Sequence, residues 1–85
     1  GGVVKLNDTS FSETITVTTA NMLTKTVTVS SNVQYPSRTK IFPQGGPVQI
    51  YSKDFTVVAP NIIAWGGMGL DGLIEEGDSI VIEYS

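Results

Sequence analysis

An all-β chain, folded as a small antiparallel sandwich or barrel of about six to eight strands with no substantial helix, follows from three features of this sequence. Period-two alternation recurs along it, most clearly in Thr14-Ile15-Thr16-Val17-Thr18 and Thr26-Val27-Thr28-Val29-Ser30. β-Branched residues dominate, with ten Val, eight Ile and ten Thr against three Ala and four Leu. No window of about 11 residues carries a helical repeat of apolar positions. The 85 residues make one domain, 1–85, because two cores would each fall below the size that folds alone.

Taken in order, Gly2 to Leu6 reads as a short first strand, followed by an Asn7-Asp8-Thr9-Ser10 turn cluster. The two Thr/Val segments come next. Ile15 and Val17 face one way, as do Val27 and Val29, with hydroxyls on the opposite side. The connection around Ala20-Asn21-Met22 makes an antiparallel hairpin of them. Lys40-Ile41-Phe42 reads as a short edge strand between Tyr35-Pro36-Ser37 and Phe42-Pro43-Gln44-Gly45-Gly46-Pro47, whose prolines exclude a helix and a central strand. Val48 to Tyr51 and Phe55 to Ala59 form a second hairpin around Ser52-Lys53-Asp54. Ile62 to Trp65 is a short apolar strand entering a glycine-rich loop, and Glu76-Gly77-Asp78 turns into a last strand, Ser79 to Tyr84. That strand puts Ile80, Ile82 and Tyr84 on one face. The expected core is Ile15, Val17, Val27, Val29, Ile50, Val57, Ile80 and Ile82.

Composition removes most catalytic chemistry. With no His and no Cys there is no thiolate nucleophile, no disulfide framework, no ordinary zinc site and no Ser-His-Asp triad. Gly67-Met68-Gly69-Leu70-Asp71-Gly72 satisfies G-x-G-x-x-G, yet a dinucleotide site needs that motif to open a helix with an acid about 20 residues further on. Only turn and strand follow it here. Asp71, Glu75, Glu76 and Asp78 offer carboxylates for a hard cation, but their spacing is not that of an EF-hand, and a solvated acidic loop is the simpler reading. Asn7-Asp8-Thr9 matches a glycosylation sequon without any secretory signal beside it. No catalytic residue, cofactor or metal is therefore expected, and the chain is read as no enzyme.

Charge narrows the partners. A net charge of −3 argues against phosphate-driven nucleic-acid binding. The longest uncharged run, Phe55 to Leu70, is 16 residues broken by Pro60 and three glycines, so no membrane span is expected. All five bases (Lys5, Lys25, Arg38, Lys40, Lys53) precede position 54, and six of the eight acids follow Lys53. Either the halves interleave on folding, or a positive face meets a neighbour's negative face, as head-to-tail assembly requires.

Ile62-Ile63-Ala64-Trp65-Gly66-Gly67-Met68-Gly69-Leu70 carries large apolar side chains among glycines and no charge. It is either core, an apolar loop buried against another subunit, or a platform that stacks a sugar on Trp65. Shallow membrane insertion is disfavoured because no Lys or Arg flanks it. The contact residues expected are Ile62, Ile63, Trp65, Met68 and Leu70, with Arg38 and Lys40 on the basic side and Glu75, Glu76 and Asp78 on the acidic side. A small core and a charge-poor hairpin edge both favour association, as a homo-oligomer or on a larger protein lattice.

The Thr/Val segments from Thr14 to Ser30, the Gln44 to Pro47 loop and the closing Glu76-Gly77-Asp78-Ser79-Ile80-Val81-Ile82 segment give the chain its resemblance. At class level it resembles small all-β virion proteins of bacteriophages, such as capsid-decoration, tail or fibre modules. That resemblance implies a structural role in a virion. A carbohydrate- or receptor-binding β module is the alternative, and outside a virion the expected location is extracellular or at a cell surface.

Overall fold

The computed structural model describes residues 10–85; the strand expected at Gly2 to Leu6 and the Asn7-Asp8-Thr9 part of the turn lie outside them. Among the described residues seven strands run in the order β1 (Phe11–Thr16), β2 (Thr26–Thr28), β3 (Lys40–Pro43), β4 (Gln49–Ile50), β5 (Thr56–Ala59), β6 (Ile62–Ala64) and β7 (Ser79–Tyr84). One six-residue helix, α1 (Thr19–Thr24), lies between β1 and β2, and a single 3-10 turn spans Pro36–Arg38. The strands form two antiparallel sheets, ordered β1-β7-β3-β4 and β2-β6-β5. The all-β expectation holds.

The core lies between the sheets. Ile41, Ile80, Ile82 and Tyr84 enter it from the larger sheet, and Val27 and Ile63 from the smaller. Phe55, Trp65, Leu70 and Ile74 join from turns and loops. β7 is the axis of this arrangement. It pairs with β1 along its whole length (Phe11↔Tyr84 to Thr16↔Ser79) and with β3 on its other side (Lys40↔Glu83 to Pro43↔Ile80). Its residues Ile80, Ile82 and Tyr84 alternate inward as the pleat requires, and all three are buried.

The expected first hairpin does not form. β1 pairs with β7 and β2 with β6, so the two Thr/Val segments belong to different sheets. The reason is local. Thr18, extended at φ −102° and ψ 168°, caps α1 by accepting from the Asn21 N–H, while the Asn21 side chain accepts from Thr18 N–H at 2.9 Å. Lys25 then closes the helix in the left-handed region at φ 57°, its N–H donating to Asn21 O at 2.7 Å. This reciprocal capping box makes a helical step where a hairpin turn was expected, and the step carries the chain from one sheet to the other.

Three further expectations are corrected. Lys40-Ile41-Phe42 is not an edge: β3 is interior, between β7 and β4, with Pro43 at its last position, beyond Lys40 and Ile41, the residues that pair with β4. Pro36 does not exclude helical turning either, because it occupies the first turn of the 3-10 segment, where its fixed φ is suited. Val48 to Tyr51 and Phe55 to Ala59 do not pair as a hairpin. β4 and β5 lie in different sheets, joined by a tight turn in which Ser52 N–H donates to Phe55 O at 2.7 Å.

The expected core is also adjusted. Val17, Val27, Val29, Ile80 and Ile82 are buried, whereas Ile15 and Val57 are half-buried and Ile50 is exposed. β1 is an outer strand of its sheet, which leaves Ile15 partly uncovered. A bulge between Val57 and Ala59 interrupts the alternation of β5. In β4 it is Gln49 that turns inward, its amide donating to Pro47 O at 2.9 Å, so Ile50 faces out.

Candidate interaction surface

The glycine-rich loop is a structural device. Ile63, Trp65 and Leu70 are core residues, Trp65 with only 1% of its surface exposed, and Ile62 and Met68 are half-buried. The indole therefore offers no face on which a sugar could stack. Trp65 N–H donates to Lys25 O at 3.0 Å and Leu70 N–H to Asp54 O at 3.0 Å, fastening the loop at both ends. Glycine is required within it. A Cβ on Gly69 would lie 2.0 Å from Asp54 Oδ1, and Gly67 sits at φ +74°. The G-x-G-x-x-G run is a series of turns and opens no helix.

The acids serve separate local tasks. Asp71 accepts from Lys25 Nζ and from Gly67 N–H, both at 2.8 Å, and Lys25 first, then Gly67, holds its carboxyl below the usual carboxylate value. Glu76 accepts from Thr19 Oγ1 at 2.6 Å, tying the acidic turn to the first turn of α1. Asp78 accepts from Glu75 N–H at 3.0 Å, closing the turn that leads into β7. Among the described residues no three acids converge where they could hold a metal ion.

Arg38 and Lys40 lie at the opposite end of β7. The Arg38 guanidinium stands 4.6 Å over the Tyr35 ring, and Arg38, Lys40, Glu83, Tyr84, Ser10 and Ser85 line an open cleft of about 200 Å³. Lys40 is registered opposite Glu83 near the end of the strand, whereas Glu75, Glu76 and Asp78 immediately precede its start. Six residues of strand separate them, roughly 17 Å from first to last. Charge is thus separated along β7, although Lys25 and Asp71 also join the two halves of the sequence directly.

The outer face of the larger sheet presents Lys40, a contact residue expected from sequence, beside Phe42, Val81, Ile50 and Glu83, which were not expected as contacts. Register places Thr14, Val81 and Phe42 in one row across β1, β7 and β3, and Ser12, Glu83, Lys40 and Ile50 in the next, reaching β4. Phe42 is 37% exposed, Val48 46% and Ile50 44%. A signal existed: Ile41-Phe42 and Ile80-Val81-Ile82 are apolar at consecutive positions, so each strand must turn an apolar side chain outward as well as inward.

Both outer strands of this sheet resist strand addition. On β1, Glu13 points toward the interior side, accepting from Ser30 N–H at 3.0 and 3.1 Å, from Ser30 Oγ at 3.1 Å and from the Tyr84 hydroxyl. Burial alone would raise its carboxyl, but the Tyr84 and Ser30 hydrogen bonds outweigh burial and hold it below its usual value. On β4, Ile50 N–H donates to Asp54 Oδ2 at 2.9 Å and Ile50 O accepts from Asp54 N–H at 3.0 Å. An inward-facing charge and a capped backbone are both recognised protections of sheet edges. Among the described residues, this sheet therefore offers its outer face rather than its edges for contact. No family model, curated protein or solved structure matches this chain.

Proposed function

We propose that this chain is a non-enzymatic assembly protein, a virion component such as a capsid-decoration or tail module, acting through subunit–subunit contacts. The observation that carries the reading is the apolar strip on one sheet face, exposed Phe42 and Ile50 with half-buried Val81, set beside Lys40 and Glu83. A mixture of apolar and paired charged side chains is what subunit interfaces use, apolar groups for affinity and charges for register. The separation of Arg38 and Lys40 from Glu75, Glu76 and Asp78 supports the same reading, since it orients a subunit among neighbours. The virion setting comes from the class-level resemblance of the Thr/Val strands, the Gln44 to Pro47 loop and the closing strand.

Recovery tests it. Quantitative mass spectrometry of particles purified from cells carrying the encoding genome should find the chain at a fixed ratio to the shell protein. Absence from such particles, together with specific capture on a glycan array, would replace the assembly role by carbohydrate or receptor binding.

A further inference from the structure

We infer that the outer face of the β1-β7-β3-β4 sheet docks on the same face of a second copy of this chain, about a two-fold axis running parallel to the strands between β3 and β7. The inference rests on the assembly reading and names its partner and geometry. It begins from register. Lys40 lies opposite Glu83, and Phe42 lies opposite Val81, on the same pair of strands and the same face. An axis midway between those strands therefore carries Lys40 of one copy over Glu83 of the other, and Phe42 over Val81, in a single operation. Each contact occurs twice by symmetry, which is the defining property of an isologous interface. The face is thus complementary to itself in charge and in apolar content.

Edge-to-edge association through this sheet is a competing route, and among the described residues Glu13 on β1 and Asp54 on β4 oppose it. Facing sheets pack about 10 Å apart with strand directions within about 30° of each other, so the pairings are preserved through the twist of the sheets. The strands of this sheet hold six, six, four and two residues, which at about 4.8 Å by 3.3 Å per residue give a footprint of roughly 290 Å² per copy. A stable dimer buries about 800 Å² per partner. The contact therefore forms at the high local concentration of an assembly, or in solution at roughly millimolar chain.

Charge exchange tests this geometry. Lys40→Glu sets carboxylate against carboxylate in both symmetric contacts, and Glu83→Lys sets ammonium against ammonium in both. Each variant alone should self-associate at least roughly tenfold more weakly than the unmodified chain by sedimentation equilibrium. An equimolar mixture of the two variants should regain association, because in the mixed dimer both contacts join opposite charges. Phe42→Ser alters no charge and gives a second route: it should also weaken association, with circular dichroism showing the fold retained. No self-association of the unmodified chain at millimolar concentration, single variants that associate as strongly as it does, or a mixture that stays monomeric would each overturn the inference. Particles that incorporate the Lys40→Glu variant in undiminished amount, with the mixture monomeric, would remove the face-to-face contact and leave the assembly role standing. Absence of the chain from particles would overturn that role whatever the mixture does.

Discussion

A carboxylate turned toward the interior of a sandwich loses solvation, and at Glu13 hydrogen bonds from Ser30 and Tyr84 more than offset that loss. Because its folded pKa lies below the ordinary 4.5, the stability it contributes is complete above that value and disappears as pH falls through the lowered one. The melting temperature should therefore decline on acidification, and Glu13→Gln should flatten that limb, measured as the difference between the two melting curves across pH. Tyr84 is linked in the opposite sense. Burial first, and Glu13 second, raise its phenol above 10.0, so its contribution is present below pH 10 and lost as pH rises through the raised value. Tyr84→Phe strips the Ser31 N–H of its acceptor and Glu13 of a donor, and should cost about 1–3 kcal/mol in denaturant unfolding. Thr39 behaves differently, being buried with its hydroxyl unpartnered among the described residues. Thr39→Val keeps the shape and removes that hydroxyl, so it should leave stability equal or higher. None of this network was legible beforehand. Glu13 and Tyr84 stand 71 positions apart, and only pairing of β1 with β7 brings them together.

At the scale of elements, alternation located strands well and partners badly. Thr14 to Val17 and Thr26 to Val29 carry the period of two, and their positions match β1 and β2 closely. Period says nothing about which strand lies alongside. That was decided by Thr18 and Asn21, whose capping box turns a hairpin connection into α1; the signal was a Thr three residues ahead of a capping amide. Thr18→Ala should cost about 1 kcal/mol, read from the denaturation midpoint. The same limit explains Ile50. Hydrophobicity placed it inside, but β4 is two residues long and its parity is set by pairing with β3, which turns Gln49 inward. Truncation separates the two situations. Ile80→Ala, in the strand held on both sides, should cost roughly 2–4 kcal/mol, and Ile50→Ala within about 0.5 kcal/mol. Equal losses at the two positions would mean that the register of β3 and β4 is wrong. The glycine-rich loop was legible as an apolar, charge-free segment with core as one of its readings, and the choice among them rested on Lys25 and Asp54 from distant segments.

The whole molecule faces a problem of size. A chain of 85 residues without a disulfide buries a limited core, and this one also leaves Phe42, Val48 and Ile50 in the open. The association expected from sequence assigned that surface to the loop around Trp65, whereas the larger sheet leaves Phe42 and Ile50 exposed on one face, with Leu23 on α1 and Val58 on β5 exposed elsewhere. Burying that face links folding to association: a contact made by the folded chain and not by the unfolded one stabilises it by mass action. When the chain concentration equals the dissociation constant, the linkage amounts to about 0.4 kcal/mol, which for a domain of this size is roughly 2–3 °C in melting temperature. The melting temperature should accordingly rise by that amount between dilute solution and millimolar chain, as scanning calorimetry would register. Phe42→Ser should remove the dependence while leaving the dilute value nearly unchanged, since Phe42 faces away from the core. A dependence that survives Phe42→Ser would place the contact on another surface, with the separated charges at the two ends of β7 as its basis.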